Sequence, residues 1–366
     1  QLRESVGKAV PPDLFKLETT KKPHVIILSV ESFRWDSLQD NMPKLAKWAT
    51  RGLVLRHHYT GSNTTAFGIF AILSGRNPIF FRRDLAAHEP TQLVATLKAS
   101  GYQTTFMSGT NLWGWRWIER MCEAFDKVDM SNEEGSSWLD WSERDRSYFA
   151  KIKQAVTSNA TPQMLFLQVN STHYPYAYPP SFNLHEPSGQ HGTENQVNMQ
   201  NWDMLDRSLL RNRNLNSLAY LDSLLDDLFS SIDLNNTLIV LTGDHGESLG
   251  EDGTLAHGSK ASEAQFRTPC LLLGAGISPG SLETFTSHLD LVPTILHALG
   301  GKPVALRGSQ GRDLLASPPT TNRLALYPNR PSPPFEIVLV DGESKLEIRL
   351  SQRLSRQMDM GPDGSE

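Results

Sequence analysis

The sequence predicts a doubly wound α/β fold: a mostly parallel sheet with helices on both faces, plus a small C-terminal subdomain built on a β-hairpin. Three observations carry this expectation. Short apolar, strand-like runs recur along the chain, helical patterns lie between them, and a late strand pair turns on Asp341-Gly342. Strands alternating with helices favour parallel pairing, because each crossover lays a helix back over the sheet.

Residues 1–22 are polar, contain Pro11-Pro12 and read as a linker. His24-Val-Ile-Ile-Leu-Ser-Val30 is the near-continuous apolar run of a strand buried on both faces. Asn41–Arg51 follows as a short helix with Leu45 and Trp48 on one face, closed by Gly52. Thr60–Gly75 is a turn of small residues running into an apolar helix. Leu93–Ser100 is a helix stopped by Gly101, and Tyr102–Met107 is a strand. Met164–Val169, Thr237–Leu241 and Thr268–Leu273 are further strands, with an amphipathic helix, Leu215–Phe229, between the first two. Asp290–Leu299 reads as a helix ended by Gly300-Gly301, and Phe335–Val340 with Lys345–Leu350 as the hairpin. Tyr174–Arg213, long, polar and rich in Pro, Asn and His, reads as a functional or disordered loop. The expected division is a linker at 1–22, a catalytic domain at 23–305, and a C-terminal subdomain with hairpin and polar tail at 306–366.

With 366 residues, 39% of them hydrophobic, the chain can bury a sizeable core. A net charge of −5 argues against nucleic acid as a partner, since such binders present a basic surface. No apolar run approaches the roughly 20 residues that span a bilayer. The chain starts at Gln1 without a leader-like segment, so it is expected to be trimmed or processed, with any anchor lost upstream. Cys122 and Cys270, far apart, make neither a disulfide framework nor a zinc knuckle and read as buried thiols.

Ligands gather at the carboxyl ends of parallel strands. Glu31 and Ser32 follow the first predicted strand, Asn170, Thr172 and His173 follow Met164–Val169, and Asp244, His245 and Glu247 follow Thr237–Leu241. A lone carboxylate there is usually a cap; several converging oxygen and imidazole groups suggest a site. Adjacent Asp244 and His245 on a Gly-flanked turn, with His257 beyond, suit a zinc- or manganese-type cation. A threonine at the start of the apolar helix either caps it or acts as a nucleophile with a metal lowering its pKa.

The order of these residues resembles the alkaline phosphatase/sulfatase superfamily, from Pro23 to Leu350. Phe266–Ile277 and Ser287–Leu296 are similar to its downstream pattern. Within it, Asp244-His-Gly-Glu-Ser-Leu-Gly-Glu251 resembles the lipid A phosphoethanolamine transferases, and His173-Tyr-Pro-Tyr176 the lipoteichoic acid synthases. The resemblance implies a metal held by Glu31, Thr65, Asp244 and His245, with His173 and His257 on the substrate phosphate. Zinc or manganese is expected there, with magnesium a further option. Register against Leu73-Ser-Gly75, which stands where sulfatases carry Leu-Thr-Gly, points to Thr65 as the nucleophile; Thr64 is the alternative.

The resemblance further implies an extracytoplasmic domain of a bacterial inner-membrane protein. Such a domain moves phosphoethanolamine or phosphoglycerol from a phospholipid donor to an envelope glycan or lipid, through a phosphothreonine-type intermediate. Trp113, Trp115, Trp117, Tyr174 and Tyr176 are candidates for the acceptor site, although core packing explains single aromatics equally well. Two departures matter. The sulfatase Cys-x-Pro-Ser-Arg pattern is absent, which disfavours sulfate esters, and two cysteines cannot supply the disulfides of the phosphoethanolamine transferases. A phosphodiesterase using water, and a catalytically silent regulator retaining the fold, are the alternatives. Asn63-Thr-Thr65 and Asn170-Ser-Thr172 match the glycosylation sequon but fall inside the proposed site and read as chance.

Overall fold

The computed structural model describes residues 17, 19–86, 91–112, 116–130, 140–189, 207–300, 309–328 and 336–351. Strand β1, His24–Val30, is buried along its whole length, as an apolar run without alternation requires of a central parallel strand. It pairs in parallel with β5 (Gln163–Val169) on one side and β6 (Thr237–Gly243) on the other. Around them lie β2 (Leu53–Tyr59), β3 (Gln103–Ser108), β4 (Lys127–Met130), β9 (Arg267–Gly274) and β10 (Gly280–Ser287), in the order β10-β2-β9-β6-β1-β5-β3-β4. Only β9 runs against its neighbours, β2 and β6. The sheet is therefore mixed but mostly parallel.

Side chains alternate across β1 and sort its residues between two cores. Val25 and Ile27 join helices α2 (Thr65–Ser74), α3 (Gln92–Ala99) and α6 (Leu291–Ala298) on one face. Ile26 and Leu28 join α1 (Pro43–Ala49), α4 (Trp141–Ser158) and α5 (Arg207–Ser231) on the other. Beyond this sheet, β11 (Arg323–Leu326), β12 (Glu336–Asp341) and β13 (Ser344–Arg349) form a separate antiparallel sheet. Gly342, at φ 59°, makes the predicted hairpin turn, and Leu326 and Val338 pack on Tyr59 and Phe266.

The structure corrects one reading. Tyr174–Arg213 is not one irregular loop, because α5 begins at Arg207. Its opening turns are polar and hide the helical period, since they hold the preceding chain: Arg213 Nε donates to the Ser188 carbonyl, and Asn216 Oδ1 accepts from the amides of Leu184 and His185. Residues 1–16 of the expected linker lie outside the described residues. Leu17 is buried in the core, and its amide donates to Ser100 Oγ. No described helix is long and apolar enough to cross a membrane.

Candidate metal centre

Three parallel strands and one helix start converge on a single point. Glu31 leaves the end of β1 in a turn whose next residue, Ser32, sits at φ 56°, a left-handed conformation uncommon for a side chain and found at sites held for function. The Ser32 amide donates to Asp244 Oδ1 at 3.1 Å, so the turn after β1 is tied to the turn after β6. The amide of His245 reaches the same Asp244 oxygen at 2.8 Å. Gln168, the polar interruption of β5, donates through Nε2 to both Glu31 Oε2 (3.1 Å) and Asp244 Oδ2 (2.9 Å).

Thr65 opens α2 and lies within 3.3 Å of Glu31 Oε2 and 3.4 Å of His245 Nε2. Thr64 is the residue preceding the helix, with no cap bond from its side chain. What brings Thr65 so close is Gly68: a Cβ there would stand 2.1 Å from the Asp244 carbonyl oxygen. Helix backbone lies directly on the turn that carries Asp244 and His245, an approach that only glycine allows. Gly68→Ala is therefore expected to push Asp244 and Thr65 apart. Metal content and activity should both fall about tenfold or more, because misplacing a reacting group by about 1 Å costs on the order of 100-fold. Metal analysis beside circular dichroism checks this; a variant with wild-type metal and rate would show that the turn yields freely.

His245 Nε2 is 3.1 Å from Glu31 Oε1 and 3.6 Å from Asp244 Oδ2, and all three side chains are buried. Its Nδ1 donates to the Gly246 carbonyl at 2.8 Å, so the neutral ring can offer Nε2 to a cation, whereas without one a proton on Nε2, which Glu31 favours, faces the carboxylate. Burial alone would raise Glu31, but His245 facing it holds its carboxyl well below the usual range. Burial, and then the neighbouring Glu31, push Asp244 well above it. Two acids sealed this close call for positive charge between them.

His257 completes the cluster. Ligand atoms of Glu31, His245 and His257 lie within 4.8 Å of one another, close enough to hold a metal ion. His257 thus stands within reach of a cation as well as of a substrate phosphate. It is carried by the small β7–β8 ribbon, Ser248–Leu249 with Leu255–Ala256, and its Nδ1 meets Glu247 Oε1 at 3.1 Å. Asp252 braces the ribbon by accepting from Ser248, Thr254 and Ser262. Arg34 pins the turn from below, through the Glu247 carbonyl and Glu251. Among the described residues, two buried oxygens of the site, Gln168 Oε1 and Glu247 Oε2, have no hydrogen-bond partner. Orphaned acceptors beside paired carboxylates and inward imidazoles fit a divalent cation.

His173 sits at the rim, its ring 5.9 Å from that of His257. Of the aromatics singled out in the sequence, Trp113 and Trp115 fall outside the described residues, and Trp117 lies in the helix Arg116–Cys122. Tyr174 is half-buried, whereas Tyr176 is buried beside Glu247 and offers no open face. Asn63 and Asn170 are buried, leaving no room for a glycan on the folded chain, and both cysteines are free and buried. Sequence reasoning missed Gln168 and Arg34. Gln168 was detectable as a polar residue inside an apolar strand; Arg34 carries no local signal.

With this geometry in hand, the chain can be set beside known proteins. The model of the sulfatase family matches residues 23–301. Inner membrane protein YejM from Salmonella typhimurium is 20% identical over 304 residues, 81% of this chain and 45% of that protein. Among solved structures, the periplasmic domain of EptC from Escherichia coli, in complex with zinc, aligns with a TM-score of 0.67 at 17% identity, covering 91% of this chain and 96% of that one. Phosphonate monoester hydrolase from Silicibacter pomeroyi aligns at 0.68 with 17% identity, covering 90% and 87%. The chain spans less than half the length of the curated relatives it matches.

Proposed function

Because this chain belongs to the sulfatase family, we propose that it exchanges the alcohol of a phosphodiester, moving a phosphoethanolamine or phosphoglycerol head group from a phospholipid to an envelope glycan or lipid. The observation that carries the reading is Thr65 itself, an alcohol rather than a cysteine, within 3.3 and 3.4 Å of Glu31 and His245. Glu31, Asp244 and His245 would hold the cation, zinc or manganese by their mixed oxygen and nitrogen donors, with His257 in reach. A divalent charge there supplies what a threonine lacks, a hydroxyl acidic enough to react near neutral pH. Thr65 Oγ1 gives up its proton to solvent and bonds to phosphorus as the bond from phosphorus to the first ester alcohol breaks, and that alcohol leaves with a proton from His173 or His257, which the incoming acceptor alcohol later returns. The acceptor alcohol attacks the phosphothreonine and restores the Thr65 hydroxyl. The two histidines offset charge on the non-bridging oxygens throughout.

Relatives named for the inner membrane and the periplasm support an extracytoplasmic location. A second reading, hydrolysis, is favoured by likeness to a phosphonate monoester hydrolase. The two separate by product. The metal-loaded chain, given vesicles of phosphatidylethanolamine or phosphatidylglycerol and a saccharide acceptor, is expected to yield acceptor heavier by one head group on mass spectrometry. Free phospho-head-group alone, released at a rate indifferent to acceptor, would make the protein a phosphodiesterase.

A further inference from the structure

The rings of the site form a row. His245, sealed in the interior, lies 4.0 Å from His257 between ring centroids; His257 lies 5.9 Å from His173; and His173 lies 5.4 Å, edge to face, from Trp141. His245 is fully buried, and the other three, His257, His173 and Trp141, are half-buried. Trp141 is the first residue of α4, and among the described residues it joins none of the three apolar clusters that hold the fold together. Core packing therefore does not account for it.

Its placement is nonetheless fixed. One helical turn on, Asp145 is fully buried and accepts from the amides of Asn170 (3.0 Å) and Ser171 (2.7 Å), in the turn that carries His173. Arg144 adds a bond to the Gly109 carbonyl beyond the end of β3. Helix and histidine turn thus move as one body, and the tryptophan keeps its station relative to the phosphate position.

We propose that Trp141 is the aromatic wall of the subsite for the acceptor alcohol, on the His173 side, and that it selects ring-bearing acceptors such as saccharides over small alkyl ones. This rests on reading the centre as a site of phospho-group exchange. A broad, rigid indole beside an imidazole that meets the phosphate oxygens offers ring contact at little entropic cost.

Phenylphosphonate and methylphosphonate test the idea, because neither has an ester bond to cleave. Their dissociation constants are measured by calorimetry on the metal-loaded chain. The wild type is expected to prefer the phenyl compound by about 3- to 10-fold, the scale of one aromatic contact. Trp141→Ala should remove that preference while leaving methylphosphonate binding unchanged, and Trp141→Phe should retain most of it. Equal weakening of both ligands would make Trp141 a support for His173 and overturn the proposal, as would a wild type without preference. A chain that turns over no diester, yet shows the Trp141-dependent preference, would sink the transferase reading and leave the subsite standing.

Discussion

Thr65→Ala is expected to lower turnover by about 10⁴-fold or more, the scale on which loss of a covalent nucleophile is felt, while the domain stays folded. The contacts the hydroxyl makes, 3.3 and 3.4 Å long, are too extended to contribute much stability. Even a lost helix-start hydroxyl costs only about 0.5–2 kcal/mol. Thermal unfolding should therefore shift by a few degrees at most, and metal binding should weaken without vanishing, because Glu31, Asp244 and His245 remain. Thr64→Ala is the control. Thr64 precedes the helix with an extended backbone and shares in neither contact, so its variant should keep activity within a few-fold. A dead Thr64→Ala beside an active Thr65→Ala would move the nucleophile by one residue. Full activity in both would end the covalent mechanism.

Much of the fold is legible in the sequence, for identifiable reasons. β1 could be read because a strand buried on both faces has no alternation to preserve, and α2 because Ala66–Leu73 is apolar but for Gly68 and Gly75 stops the helix. The turn after β6 could be read because Asp, His and Gly cluster where a strand ends. What stayed hidden follows from chemistry displaced from its own element. β2 carries Arg56-His57-His58 in its middle and does not look like a strand; yet His58 is fully buried, because Thr286 and His288 from β10 and the turn after it engage both ring nitrogens at 2.9 Å. α4 is polar overall, and some of its buried residues, Ser142 and Asp145 among them, are polar, Asp145 holding the amides of Asn170 and Ser171. The start of α5 is polar for the same reason. Local pattern reports a residue's own environment, whereas these residues were placed by partners far off in sequence.

Removing the charge of Asp244 should have the largest effect on the metal. Asp244→Ala would confound two losses, since the side chain both faces the cation position and accepts the amides of Ser32 and His245 through Oδ1. Leaving those two buried amides unpaired would cost about 1–3 kcal/mol each, enough to loosen the turn without any effect of charge. Asp244→Asn keeps an amide oxygen for Oδ1 and removes the charge, and its only other change is an amide nitrogen at the Oδ2 position, which accepts from Gln168 Nε2 at 2.9 Å in the wild type; it comes much nearer than alanine to isolating the ligand role. Zinc or manganese affinity is expected to drop at least about 100-fold in the Asn variant, beyond the 10–100-fold typical of groups one shell further out. Two readouts follow, neither of which needs a substrate. Elemental analysis after gentle purification should find metal in the wild type and little in the variant. Added metal should also raise the wild-type unfolding temperature, by the equivalent of about 2.7 kcal/mol at 100 times the dissociation constant, and leave that of Asp244→Asn nearly unmoved. Burial beside Glu31 already pushes the Asp244 carboxyl well up, so a neutral amide can replace it without unfolding the apo chain. Wild type and variant that respond equally to metal would mean that the cation, if bound, sits elsewhere, and the account of Thr65 as an activated alcohol would fall with it.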